Sequence, residues 1–169
     1  PCPVFDEDKE ENVKKYIASL PEGLRKVEGE RFNNIRQIKD YIGQILHRNQ
    51  YKKGVKLLKG QTLSGTITMA NDSVVVLKVS KKKAKSFRWD ELALQQYIDF
   101  LDYFAQFSLK ATGGEVNKDE GKKNAAEIFL LAALLCDWYE KYDDALKFAR
   151  KGIDLAPENK QKTSVLLLK

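Results

Sequence analysis

Histidine occurs once, at His47, and cysteine twice, at Cys2 and Cys136. That supply cannot build a zinc site of the usual Cys/His spacing or a disulfide framework, so no metal and no cofactor is expected. Cys2 lies in a terminal Pro-Cys-Pro, and Cys136 sits in an apolar stretch where a free thiol packs as a small hydrophobe. Such sparing cysteine usage fits a reducing, cytoplasmic setting. Long apolar runs are missing as well: the longest, Ile128–Cys136, has nine residues against the ~20 of a membrane span. No secretory leader reads from the N-terminus. The chain opens on Pro1 with Met69 as its one methionine, so position 1 is expected to be a processing boundary and the chain part of a larger protein.

Catalytic signatures are equally scarce, and the expectation is that the protein is not an enzyme. Gly60-Gln-Thr-Leu-Ser-Gly65 lacks the Lys-Ser/Thr of a phosphate loop and precedes a strand rather than a helix. A Ser–His–Asp set would have to use His47, beside Arg48 at a helix end, where a solvated imidazole is favoured by the macrodipole. The acid pairs Asp99/Asp102 and Asp143/Asp144 fall on polar helix faces, and Trp89 and Trp138 fall on apolar stripes.

What is present is a globular composition, 43% apolar and 32% charged over 169 residues, enough for one domain or two small ones. The net charge of +6 is unevenly placed: residues 48–88 hold eleven Lys and Arg against one acid, Asp72, and the remainder is net negative. A basic middle lies between acidic flanks.

Hydrophobic periodicity orders the chain. Asp8 with Glu11 reads as a capping box, followed by Val13, Tyr16, Ile17 and Leu20 on one face, and Pro21-Glu-Gly closes that helix. A second helix over 31–48 carries the stripe Phe32, Ile35, Ile38, Ile42, Ile45 and Leu46. From Tyr51 to Trp89 the period becomes two. Strands read over 54–60, 63–69 and 73–79, with a bend at Gly65 and a turn at Ala70–Ser73 where Asn71 and Asp72 supply positive φ. Lys81–Lys85 reads as a charged, extended connection, and Phe87 and Trp89 face one side of a last short strand. Asp90 caps a helix over 90–107, and the Gly-rich stretch 108–118 reads as a hinge. Helices follow from Asn117 to about Lys141, over 143–155 and over 158–168. The fold class is α+β: an N-terminal helical pair (1–50), a small basic antiparallel β meander of three to four strands (51–89), and a C-terminal tetratricopeptide-like helical hairpin array (90–169).

The repeat designation rests on residues. Tyr142-Asp-Asp-Ala-Leu-Lys-Phe-Ala-Arg-Lys-Gly-Ile-Asp-Leu-Ala-Pro157 has small residues at Ala145 and Gly152 and a terminating proline, and Phe129 and Ala133 precede it at matching offsets. Residues 126–159 thereby resemble a single tetratricopeptide repeat, a 34-residue helix–turn–helix unit. Ala132, Cys136 and Ala149 depart from its large-residue positions, and no clear second copy is present. The resemblance implies a protein or peptide partner on the inner face of the first helix, at Glu127, Leu130, Leu134, Asp137 and Trp138. Leu130 and Leu134 fit equally a core covered by the helix over 90–107. The style of a β meander feeding repeat helices suggests an accessory region of a bacterial protein.

The function expected is therefore a non-catalytic protein-interaction or scaffold module. The alternative is a nucleic-acid or anionic-surface binder acting through 48–88, with Lys78, Lys81, Lys82, Lys83, Lys85 and Arg88 as the anion-binding set. Against it, lysines also protect sheet edges, and base-stacking aromatics are not interleaved with them. Small residues at Ala145 and Gly152 make sense only against a close neighbour. Ala145→Leu is expected to overpack that crossing and cost ~1–3 kcal/mol, read as a lowered Tm.

Overall fold

The computed structural model describes residues 7–71, 73–110 and 115–156. The turn residue Asp72, residues 111–114 of the Gly-rich stretch, Pro157 and the expected helix over 158–168 lie outside the described residues; the rest of that stretch, 108–110 and 115–118, is helical rather than a hinge. The chain forms two compact units, Pro1–Phe100 and Leu101–Lys169. The architecture is mixed α+β, with a helical pair, two small antiparallel sheets and a C-terminal helical hairpin.

In the first unit, α1 (Glu7–Ser19) packs on α2 (Glu22–Arg48). Because α1 starts at Glu7, Asp8 lies inside its first turn rather than at its cap. Glu10 of α1 joins the two helices, accepting from Lys14 at 2.9 Å and from Arg36 of α2 at 2.8 Å. Pro21 closes α1 and also opens α2: it is the N-cap, and its carbonyl accepts from Arg25 N–H at 2.9 Å. The second helix therefore begins nine residues before the expected Arg31. Its early turns carry only Leu24 and Val27 as apolar side chains, too few to give a period, whereas Phe32, Ile35, Ile38, Ile42 and Leu46 form the buried stripe expected of it.

The β region divides into two sheets rather than one meander. A two-residue pair, β1 (Val55–Lys56) and β2 (Thr62–Leu63), matches Val55 with Leu63. A three-stranded sheet follows, in the order β3 (Thr66–Ala70), β4 (Val74–Ser80), β5 (Lys83–Arg88). Gly65 separates the sheets by close approach: a Cβ there would lie 2.6 Å from the Lys78 carbonyl oxygen. A bulge at Thr68, between Ile67 and Met69, keeps both Ile67 and Ala70 buried although they stand three residues apart. The β3–β4 turn does not use positive φ at Asn71. Instead the Asn71 side-chain oxygen accepts from Ser73 N–H at 3.0 Å and Val74 N–H at 2.9 Å.

Lys81–Lys85 is not an extended connection. Ser80 pairs with Lys83, so Lys81 and Lys82 alone make the turn and the chain re-enters the sheet at once. Asp90 does not cap a long helix either. Trp89–Glu91 form one 3₁₀ turn, closed by Arg88 N–H donating to Glu91 Oε2 at 2.7 Å, while Asp90 pairs with the Arg88 guanidinium at 3.0 Å. Helix α3 (Leu94–Lys110) then begins, and the boundary between the units falls within it. Its first turn is tied to β1 by the fully buried Gln96, which accepts from Lys56 N–H at 2.7 Å and donates to Tyr51 Oη at 3.3 Å.

The second unit is built on α4 (Glu115–Trp138) and α5 (Tyr142–Leu155), packed as an antiparallel hairpin. Ala145 is buried, and the Phe129 and Phe148 rings stack at 6.1 Å. At Gly152 the helices come so close that a Cβ would lie 2.9 Å from Leu130 Cδ2 and 3.1 Å from the Ala126 carbonyl oxygen. Lys151 lays its ammonium over both rings, at 4.9 and 5.2 Å, and donates to Asp102 of α3 at 3.2 Å.

Two glycines test these constraints in opposite directions. Gly65→Val is expected to destabilise by about 1–3 kcal/mol in urea unfolding, since β4 backbone must move. Gly29, in α2, has nothing within 4 Å of an added Cβ, so Gly29→Ala is expected to stabilise by about 0.5–1 kcal/mol.

Candidate functional site

Two surfaces carry the binding residues singled out by sequence. On α4, Glu127 is exposed and Trp138 half-buried, but Leu130, Leu134 and Asp137 are buried. Leu130 is covered by α5, where it fills the space left by Gly152. The helical spacing does bring these five onto one side of α4; hairpin packing then takes Leu130 out of any open groove.

The same hairpin leaves a different stripe uncovered. Tyr142 and Leu146 stand one turn apart on α5 and are 47% and 55% exposed, and Arg150 continues the row one turn further. Ala145, Phe148, Ala149 and Gly152, on the other side of α5, are buried. Periodicity had placed Leu146 in a helix over 143–155, which in fact opens one residue earlier at Tyr142, but only the packing direction of Ala145 and Gly152 shows which side faces out.

The six basic residues of the β region do not form one face. Strand alternation, fixed by the pairs Val75–Phe87 and Leu77–Lys85, sends Lys83 and Lys85 to the side of the buried Phe87. Lys78 and Arg88 point to the opposite side, at opposite ends of the sheet, and Arg88 is engaged by Asp90. That pairing raises the Arg88 pKa, first through the hydrogen bond that Arg88 donates to Asp90 and then through the charge of Asp90. Lys81 and Lys82 occupy the turn. Phe87 and Trp89 are buried, so neither ring offers a stacking surface for a base.

A third surface is one that sequence reading did not assemble. A cleft of about 390 Å³ lies between α2 and the β3–β4 turn, lined by Lys39, Asp40, Gly43, Gln44, His47 and Arg48 of α2 with Asn71 and Trp89 opposite. The helix residues recur every four positions in two rows, and Gly43 leaves the middle of one row open. Trp89 is locked there, its Nε1–H donating to the Asn71 carbonyl at 2.7 Å and its own carbonyl accepting from Tyr97 Oη at 2.5 Å. Asp40 and His47 are two helical turns apart, ~10 Å of rise, too far for the carboxylate to orient the imidazole. This cleft can hold a small polar group; it does not contain an acid–histidine pair.

No helix among the described residues is long and apolar enough to cross a membrane. The chain matches no protein-family model, no curated protein and no solved structure.

One side chain responds to pH in a checkable way. Burial, assisted by the charge of Asp144 and opposed by Lys141, pushes the Cys136 thiol from its ordinary 9.0 up to about 12. The unfolded chain ionises first. Stability from this group is therefore complete below pH 9.0 and is lost as pH rises from there towards about 12. In a Cys2→Ser form at pH 8, a thiol reagent is expected to label Cys136 only as fast as the protein unfolds.

Proposed function

We propose that the protein is a non-catalytic protein-interaction or scaffold module whose partner packs on the outer stripe of α5. The observation that carries this reading is the exposed row Tyr142, Leu146 and Arg150 on a helix whose other side is fully engaged. Tyr and Arg are the residue types that dominate binding hot spots, and an i, i+4 apolar pair is how a helix presents itself to another helix. The tetratricopeptide-like pattern over 126–159 supports the same reading, because a single repeat cannot bury both of its apolar faces and stacks against neighbours. The inner-face set Glu127, Leu130, Leu134, Asp137 and Trp138 is the less favoured docking surface, since Leu130 is already occupied with Gly152. The reading as a nucleic-acid or anionic-surface binder through 48–88 draws less support, because its basic residues lie on both faces of the sheet and in the turn.

Leu146→Glu changes an exposed side chain and is expected to move stability by no more than about 0.5 kcal/mol. A photo-reactive residue at position 142 is expected to crosslink a second polypeptide in native extract, and Leu146→Glu to abolish that crosslink. A crosslink that lands within the same chain, or one indifferent to Leu146→Glu, overturns the reading.

A further inference from the structure

The three-stranded sheet ends at β5, and no other strand of the described residues pairs with its outer side. Lys83, Ala84, Lys85 and Ser86 are all exposed, and no strand among the described residues lies along that edge. Two hydrogen bonds fix which peptide groups face outward. The Val74 carbonyl accepts from Asn71 N–H, so Val74, Val76 and Lys78 direct their backbone towards β3, leaving Val75 and Leu77 to pair with β5. On β5 the Arg88 N–H turns away to Glu91, and by alternation the peptide groups of Ser86 and Ala84 point to the same open side.

We propose that this edge captures an extended acidic peptide segment as a fourth strand, with acidic and apolar residues alternating along it. Lys83 and Lys85 project to one face of the sheet, and an incoming strand places every second side chain beside them, within reach of a carboxylate. On the other face Ala84 and Ser86 are small, and the row Met69, Val76, Ser86 runs across the strands with Met69 43% exposed. An apolar side chain on the incoming strand extends that row past Ser86. The lysines also disfavour pairing with a second copy of the same chain, because β5 against β5 sets lysine against lysine. One set of charges thus repels its own kind and attracts an acidic strand. A peptide is favoured over a nucleic acid because the open groups are backbone donors and acceptors in strand register, and the neighbouring rings are buried.

The test is fluorescence polarisation of a labelled, blocked hexapeptide of alternating Glu and Val, with amide NMR shifts on the ¹⁵N-labelled protein to locate it. Binding is expected to shift the amides of residues 83–88 and to fall about tenfold in Lys83→Glu/Lys85→Glu, whose exposed positions leave the Tm unchanged. The same peptide methylated on alternate backbone nitrogens keeps its charge but cannot pair, and is expected not to bind. Equal binding of the methylated peptide overturns the proposal, since attraction is then by charge alone. Tighter binding of a mixed-sequence oligonucleotide, lost in Lys81→Ala/Lys82→Ala/Lys83→Ala, also overturns it and assigns the surface to nucleic acid. So does absence of shifts at 83–88.

Discussion

The first unit depends on the burial of one indole. Trp89 follows β5 directly, and once it is buried its N–H must find an acceptor inside the protein. It takes the Asn71 carbonyl at the β3–β4 turn, while its own carbonyl receives the Tyr97 hydroxyl from α3. Its ring edge rests against α2 at Gly43, where an added Cβ would be 3.7 Å away, in ordinary contact. One residue thereby sets the turn, the second helix and the start of the third at once. With the Asn71 carbonyl already engaged, the turn is held by the Asn71 side chain, which is why it forms without a glycine or a left-handed Asn71.

A second, polar anchor sits in the same unit. Gln96 and Tyr51 are both buried, and each satisfies the other while Gln96 also holds the Lys56 amide. Lys56 adds an ion pair to Asp99 at 2.7 Å, one turn along α3. Two-residue strands such as β1 and β2 have little ladder of their own, so side-chain bonds to α3 hold them in register. Between them, Trp89 and Gln96 fasten the sheets at two points, and β5 stays an edge strand among the described residues.

Much of this was legible in the sequence, and the failures have physical causes. The apolar stripe of α2, the course of β3 and β4 and the two hairpin helices were read from the sequence, but Gly65 splits the strand read up to Met69 into β2 and β3. The early turns of α2 were not read, because two apolar residues, Leu24 and Val27, are too few to define a period. Lys81–Lys85 was misread because a charge run resembles a loop, although Lys83, Lys85 and Phe87 already alternate with Ala84, Ser86 and Arg88. Asp90 resembled a cap; its carboxylate is instead taken by Arg88, and Glu91 does the closing. For the candidate surfaces, residue spacing placed Leu130 and Leu146 on helix faces. Which of them remains exposed depends on where Gly152 lets the helices approach, a fact of packing between elements that no single stretch of sequence carries.

The joint between α4 and α5 has a bearing on how the hairpin assembles. Lys141 N–H donates to the Cys136 carbonyl at 2.8 Å and Glu140 N–H to the Asp137 carbonyl at 3.0 Å, the paired bonds of a Schellman ending. Glu140 takes the left-handed position, φ 60°, where glycine is usual. A side chain there costs ~1 kcal/mol, and a carboxylate at a helix C-terminus sits near the negative end of the dipole. Locally, then, the turn opposes its own formation. What holds the hairpin is its helix faces, through Phe129 on Phe148 and Leu130 on Gly152, and the connection follows where those faces place it.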